Sequence, residues 1–320
     1  MTDGQALRKG RRAGTRAGGI LCVCLLAAMA PCVQATEGAG GMYLLGSQSL
    51  DAGLSPAPGW YVTVVGVQYS GSVSGTVQGG VVVKELDKRS DSLTALLLYA
   101  PQRKVLGGQL ALSVGAPYAY VRLSGEVQGP RRLVQRSVSG TGLSDTSLGA
   151  RLGWRLGPAF SHALALTVWA PTGDYQKGFT PSTGHNRWAG DFTWALTYAP
   201  GNHRTEVSAA LGYGINSPNT TTRYLSGNEL HLELSVGQRL TPHFELGLSG
   251  YTYRQVTADS GAGALFGSLK GRVSGAGPAL NYSSKLGGYG LILAARYYHE
   301  FDAKRHFRGD LALASATLHF

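Results

Sequence analysis

Asp191, Glu206, Glu229, Glu233 and Glu245 each stand in a run whose alternate positions are largely apolar. Arg151, Arg155 and Arg296 hold the same kind of place in other runs, as do Tyr251, Tyr253, Tyr298 and Glu300. Side chains of a strand point alternately to opposite faces, so polar residues two apart share a face. In Glu229-Leu230-His231-Leu232-Glu233 this brings two carboxylates and an imidazole together. The trio could hold a cation, although such spacing on one strand is a weak metal pattern. Ser235 shares the face of His231, which raises nucleophilic chemistry. No Gly-x-Ser-x-Gly elbow, His-Glu-x-x-His pair or phosphate-binding loop accompanies it. His162, His203 and His243 fall at expected turns. The expectation is therefore no enzyme, no metal and no cofactor.

The elements that position these groups are long and alternating. In 228–240, Leu230, Leu232, Leu234, Val236 and Leu240 take one parity, and Glu229, His231, Glu233, Ser235 and Arg239 take the other. Thr241-Pro242-His243 has the chemistry of a reverse turn. After it Phe244, Leu246 and Leu248 alternate with Glu245, Ser249, Tyr251 and Tyr253. Strands of soluble sandwiches run about 5–6 residues. These run about ten or more, the length of a tilted strand that crosses a bilayer. The rhythm recurs along the chain, with short and long connections in strict alternation. Long polar loops are expected at about 73–90, 122–144, 171–187 and 255–270. In the first strand Tyr61, Thr63, Val65, Val67 and Tyr69 share a face. Their end aromatics suit the two membrane interfaces, so that face is expected outward. Pro278 makes the tenth run the least regular, because proline removes a ladder donor. The expected fold class is all-β, a transmembrane up-and-down antiparallel β-barrel of about twelve strands. It must close on itself, since lipid offers no hydrogen bonds to a free edge.

Composition agrees. The 320 residues are 43% hydrophobic with a mean hydropathy of −0.04, too polar for a helical membrane protein. The 47 glycines would burden helices, where an interior glycine costs roughly 1 kcal/mol relative to alanine. Residues 1–35 read as a cleaved secretory signal. Arg8, Lys9, Arg11, Arg12 and Arg16 precede an apolar run, and Val33-Gln34-Ala35 offers small residues at the cleavage positions. Cys22, Cys24 and Cys32 all fall in the signal, so the exported chain has no disulfide and no thiolate chemistry. Part of the formal charge of +11 leaves with it. The remaining excess, without a basic helix, does not suggest nucleic acid as a partner. Residues 36–58 are Gly-, Ser- and Pro-rich and irregular, able to trail in the periplasm or to fold into a lumen. The barrel is expected over 59–320.

With the apolar parity outward, Asp191, Glu206, Glu229, His231, Glu233 and Glu245 line one wall of the lumen. Arg151, Arg155 and Arg296 lie toward the others. One reading is a transverse field that orients dipolar solutes and sets ion preference. The other is a salt-bridged filling of a narrow barrel, closed to solutes. Tyr251, Tyr253 and Tyr298, with Glu300, point inward by the same parity. Their rings suit stacking against apolar solutes, but lumen packing is the plainer reading. Loop cations at Lys84, Lys88, Arg89, Arg131, Arg132, Arg136, Arg187, Arg223, Lys304, Arg305 and Arg308 suit outer-membrane lipid and lipopolysaccharide phosphates. Phe320 ends the chain on the apolar parity, as the signal read by the barrel-insertion machinery does.

Several stretches carry a family resemblance. They are Thr36-Glu37-Gly38 with Ala57-Pro58-Gly59-Trp60, Trp169-Ala170-Pro171-Thr172-Gly173-Asp174-Tyr175, Tyr224-Leu225-Ser226-Gly227-Asn228-Glu229-Leu230-His231 and Gly250-Tyr251-Thr252-Tyr253-Arg254-Gln255. Ala276-Gly277-Pro278 and Gly309-Asp310 follow near the end. Each is short; their order covers nearly all of the exported chain. In this order the chain resembles the bacterial outer-membrane proteins named for the meta-cleavage pathway of phenol degradation. The resemblance implies an outer-membrane barrel of a Gram-negative bacterium. It also implies a channel or transporter for passive uptake of small hydrophobic, often aromatic, compounds. A lipid-modifying enzyme and a closed structural or adhesive barrel remain the alternatives.

Overall fold

The computed structural model describes residues 41–78, 81–128, 133–177, 181–201, 204–264 and 270–320. The expected signal, its cysteines, Thr36-Glu37-Gly38, Arg131 and Arg132 lie outside these residues. The described chain is a single sheet of thirteen strands, each antiparallel to its neighbours. They are β1 (Gly59–Gln78), β2 (Val81–Ala100), β3 (Gln109–Gln128), β4 (Leu133–Leu143), β5 (Thr146–Leu156), β6 (Phe160–Ala170) and β7 (Ala189–Tyr198). There follow β8 (Thr205–Asn216), β9 (Glu229–Arg239), β10 (Phe244–Gln255), β11 (Arg272–Leu286), β12 (Tyr289–Lys304) and β13 (Arg308–His319).

Two pairings turn this sheet into a barrel. β1 bonds to β2 on one side and to β13 on the other, so first and last strands meet. Trp60 and Phe320 finish that seam with reciprocal backbone bonds of 2.9 and 3.4 Å. β3 is shared: its outer half pairs with β4 and its inner half with β5. β4 and β5 are thus one stave broken at Ser144-Asp145, and the barrel has the expected twelve staves. The break has a local cause. Asp145 is buried, and its carboxylate accepts Gly173 N at 3.0 Å, His185 N at 2.7 Å and the His185 ring at 3.0 Å. These bonds hold the 171–187 loop against the break, while Ser144 N still bonds to Pro117 O of β3 at 2.8 Å.

The outer surface shows what solvent it meets. Val62, Val64, Leu112, Val114, Leu148, Leu166, Phe192, Trp194, Leu211, Leu234, Val236, Leu246 and Leu248 are all exposed. A water-soluble monomer rarely exposes so continuous an apolar surface. Trp60, Tyr99, Tyr198, Tyr289 and Phe320 ring the short-turn end, while Tyr118, Trp188, Tyr213 and Phe301 stand toward the other. That is an apolar belt between two aromatic girdles, the surface of a membrane barrel.

Residues 41–58 lie inside. Gly41 touches Glu229 near the long-loop end, and Tyr61 Oη reaches Ala57 O by 2.8 Å at the short-turn end. Glycine is required along this path. A Cβ on Gly53 would sit 2.3 Å from Thr197 N and 2.5 Å from Ser161 O, so only a bare backbone lies that close to β6 and β7.

Three expectations about the wall are corrected. Tyr61, Thr63, Val65, Val67 and Tyr69 face inward, and lipid meets Trp60, Val62 and Val64 instead. Both faces of β1 are apolar at this level, because the inner one packs against the interior; alternation alone had no polar side to mark the lumen. The loops expected at 73–90 and 122–144 are mostly strand: β1, β2 and β3 run on outward, and β4 pairs beside them. Strands beyond the bilayer need no lipid face, so their side chains lose the apolar rhythm while the ladder continues. Arg187, expected among lipopolysaccharide contacts, is 1% exposed and points into the barrel just ahead of β7. At Gly277-Pro278 the β11–β12 pairing skips from Ala276 to Ala279, while Pro278 still faces Leu248 on β10.

Candidate functional site in the barrel lumen

The inward parity of β7, β8, β9, β10 and β12 buries Asp191, Glu206, Glu229, His231, Glu233, Glu245 and Glu300, each at most 4% exposed. A buried charge is costly unless it is paired or hydrogen-bonded, so their partners define the site. Asp191 Oδ2 lies 2.9 Å from His231 Nε2, and Thr193 Oγ1 donates to Asp191 Oδ1 at 2.5 Å. Tyr251 and Tyr69 donate their hydroxyls to the two oxygens of Glu300, each at 2.8 Å, and Gly309 N adds 3.0 Å. Asn216 Nδ2 reaches Glu229 at 3.4 Å. The trio of Glu229, His231 and Glu233 is therefore divided among other partners and does not converge on a cation.

The remaining acids hold the inner segment. Gln48 N donates to Glu233 Oε2 at 2.8 Å, and Asp51 N donates to Glu206 Oε1 at 2.7 Å. Tyr43 stacks on His231 with ring centroids 3.6 Å apart. From the opposite side Arg151 donates to Ala52 O, and to Leu54 O at 3.1 Å. Tyr298 Oη donates to Gly46 O at 3.0 Å. So carboxylates take N–H groups of the segment, while Arg151 takes its carbonyls. The peptide groups of 41–58 thus lie between the acidic side chains and Arg151.

Arg296 reaches this network through Asn281, at 3.1 Å, and Asn281 reaches Asp51 at 3.4 Å. Arg239 joins Glu245 at 3.4 Å and Asp51 at 3.5 Å. Arg155 is exposed at the short-turn end of β5 and touches none of these groups. Sequence reasoning missed Tyr43, Asp51, Arg239 and Asn281. Tyr43 and Asp51 sit in a segment without periodicity, so nothing assigned them a face. Arg239 shares the parity of Glu233, which was the available signal.

A second lining is apolar. Tyr251, Tyr253, Tyr298, Val273, Leu311 and Leu313 form a buried cluster against Leu44 and Leu45 of the segment and Val67 and Tyr69 of β1. At the outer end Val73, Leu86 and Leu123 close over Phe307 from the β12–β13 turn, with Lys88 5.5 Å above its ring. Next to Phe307, burial pushes the His306 imidazole down to about 4.

This lumen can now be compared with known proteins. The family described as "Putative MetA-pathway of phenol degradation" matches residues 71–315. The chain belongs to this family. Among solved structures, an outer membrane channel from Pseudomonas putida F1 is similar, with a TM-score of 0.66 and 17% identity over 84% of this chain and 98% of that one. The β domain of the Bordetella autotransporter BrkA gives a TM-score of 0.47 at 11% identity, over 82% of this chain and 100% of that one. No curated protein sequence matches. The phenol-degradation family thus accounts for the barrel, and the Pseudomonas channel shares its fold at an identity too low to carry residue roles.

Proposed function

We propose that this member of the phenol-degradation family is an outer-membrane channel for passive uptake of small hydrophobic or aromatic compounds. The observation that carries the reading is the divided lumen. Residues 41–58 engage its polar wall, and its other wall is a contiguous aromatic and aliphatic cluster of Tyr251, Tyr253, Tyr298, Leu311 and Leu313 that packs on Leu44 and Leu45 of the same segment, so a solute that displaces these two leucines meets an apolar surface. A water-filled pore needs polar groups free to solvate a permeant; here they hold a peptide. An apolar lining suits solutes that shed water readily.

The rest of the reading follows the surface. The apolar belt between two aromatic girdles supports an outer-membrane location. The exposed cations Arg89, Arg136, Lys304, Arg305 and Arg308 stand at the long-loop end, where lipopolysaccharide phosphates lie. Catalysis has less support, because His231 is engaged with Asp191 and stacked under Tyr43. The test is uptake by a deletion strain. Loss of the gene should slow accumulation of dilute toluene or phenol, and re-expression should restore it, with no change for glucose. Equal uptake of the aromatic solutes with and without the gene would overturn the proposal.

A further inference from the structure

The inner segment meets the wall at its short-turn end through three carboxylates. Asp51 comes from the segment, Glu206 from the start of β8 and Glu245 from the start of β10. One oxygen from each lies within 4.8 Å of the other two. Calcium binds oxygen at about 2.3–2.6 Å, so an ion among them touches all three after at most a shift of a few tenths of an ångström in the side chains. Glu206 is 2% exposed, and its Oε2 has no hydrogen-bond donor in the structure. Asp51 Oδ1 is likewise buried without one. Buried carboxylate oxygens normally have such donors, and leaving them bare is expensive.

Protein cations do not balance this cluster. Arg239 is the guanidinium in contact, at 3.5 Å from Asp51 and 3.4 Å from Glu245. Those distances exceed the roughly 2.7–2.9 Å of a charge-assisted hydrogen bond. Arg296 stops at Asn281. Three carboxyl groups thus face one touching guanidinium. The donors are all oxygen, with no imidazole or thiolate among them, which selects a hard ion such as calcium or magnesium over zinc or copper.

We propose that Asp51, Glu206 and Glu245 form a divalent-cation site that latches the inner segment to the barrel wall. Two ligands belong to strands and one to the segment, so the site is complete only when the segment is seated. An ion that binds only the seated form stabilises it by mass action. Withdrawal of the ion therefore favours release of the short-turn end of the segment, from Asp51 to Ala57. The coupling holds whatever solute the barrel carries.

The test uses the full chain, refolded free of lipopolysaccharide and stripped with EDTA. Isothermal titration with calcium chloride should show one site per chain, and Asp51→Asn should weaken it at least tenfold. Asp51 lies outside the wall, so this variant leaves the barrel strands intact; retention of heat-modifiable migration confirms folding. In planar bilayers EDTA should raise the open fraction reversibly, with calcium restoring closure in the parent chain and having no effect in Asp51→Asn. Absence of calcium and magnesium binding at millimolar concentrations would overturn the proposal, as would equal binding by Asp51→Asn. A lumen that responds to pH alone, with no response to either ion, would assign the cluster to a shared proton and also overturn it. No solute enters the binding measurement, so its failure is distinct from failure of the uptake reading.

Discussion

Glu233 joins the acidic wall to the inner segment through Gln48 N, at 2.8 Å, with the Gly46 backbone and the Tyr43 side chain also bonded to its carboxyl. Its other oxygen, Oε1, is buried without a hydrogen-bond partner. Glu233→Gln keeps an acceptor for Gln48 and removes the charge. The expected result is a seated segment with a single-channel reversal potential shifted toward anions. Glu233→Leu removes the acceptor too, leaves Gln48 N unsatisfied and should add frequent openings. The two variants separate field from tether, since a pure tether predicts no selectivity change for glutamine. On the opposite face, Leu234 stands at the middle of β9 and is exposed to lipid. Leu234→Arg should destabilise folding by about 2–4 kcal/mol, the cost of a cation near the bilayer midplane. Leu234→Ser should be far milder when both are measured by reversible folding into lipid vesicles. Equal effects would place Leu234 away from lipid. Adjacent residues of one strand thus answer to two solvents. That contrast was readable in the sequence here because Glu233 and Leu234 differ so sharply in polarity.

At the scale of elements, the sequence was informative wherever one face had to be oily and the other wet. β7, β8, β9, β10 and the outer half of β12 meet that condition, and their inward residues are buried on the expected parity; in β5 Arg151 turns inward while Arg155, at the strand's end, is exposed. β1 does not, because its inner face packs Val67 and Tyr69 against Leu311, Leu313 and the segment. The outer halves of β1 to β3 do not either, since their outward face meets water rather than lipid and their inward apolar residues are the scattered Val73, Leu86 and Leu123 that pack on Phe307. The inner segment was the least legible. It forms no ladder, so its contacts depend on where glycine lets the backbone approach, as at Gly53 and at Gly46, which has a φ of +79° against the Tyr298 ring. The β12–β13 turn gives an element-scale prediction. His306 is held neutral by burial, down to about 4, against an ordinary value near 6.5. Between these values the unfolded turn binds a proton that the packed turn refuses, so packing weakens as pH falls from about 6.5 toward 4. Lys88, above Phe307, adds a like charge to any imidazolium formed there. Hydrogen exchange in the turn, corrected for its intrinsic pH dependence, should accelerate over that window. His306→Gln should flatten the response; an unchanged slope would place the proton elsewhere.

The described strands close into a barrel around residues 41–58, and under the proposed uptake reading the question is whether that segment must move. If solutes pass along the lumen axis, residues 41–58 have to leave the polar wall. If solutes instead cross between lumen and lipid, the segment can stay seated. A covalent lock separates these routes. A Cβ on Gly153 would lie 3.1 Å from Ser55 Cβ, a few tenths of an ångström under the roughly 3.5–4.5 Å typical of disulfides. Gly153 belongs to β5 and Ser55 to the segment, so Ser55→Cys with Gly153→Cys ties one to the other. Cys22, Cys24 and Cys32 are replaced by serine in this variant so that they cannot compete. For axial passage, the oxidised double variant should lose uptake of aromatic solutes into proteoliposomes, and reductant should restore it. Ser55→Cys alone should behave as the parent under both conditions; Gly153→Cys alone is not a control, because its Cβ would meet the Ser55 hydroxyl. The axial route fails if the locked barrel transports at the parental rate, because a segment held at Ser55 cannot clear the lumen between Arg151 and Glu206.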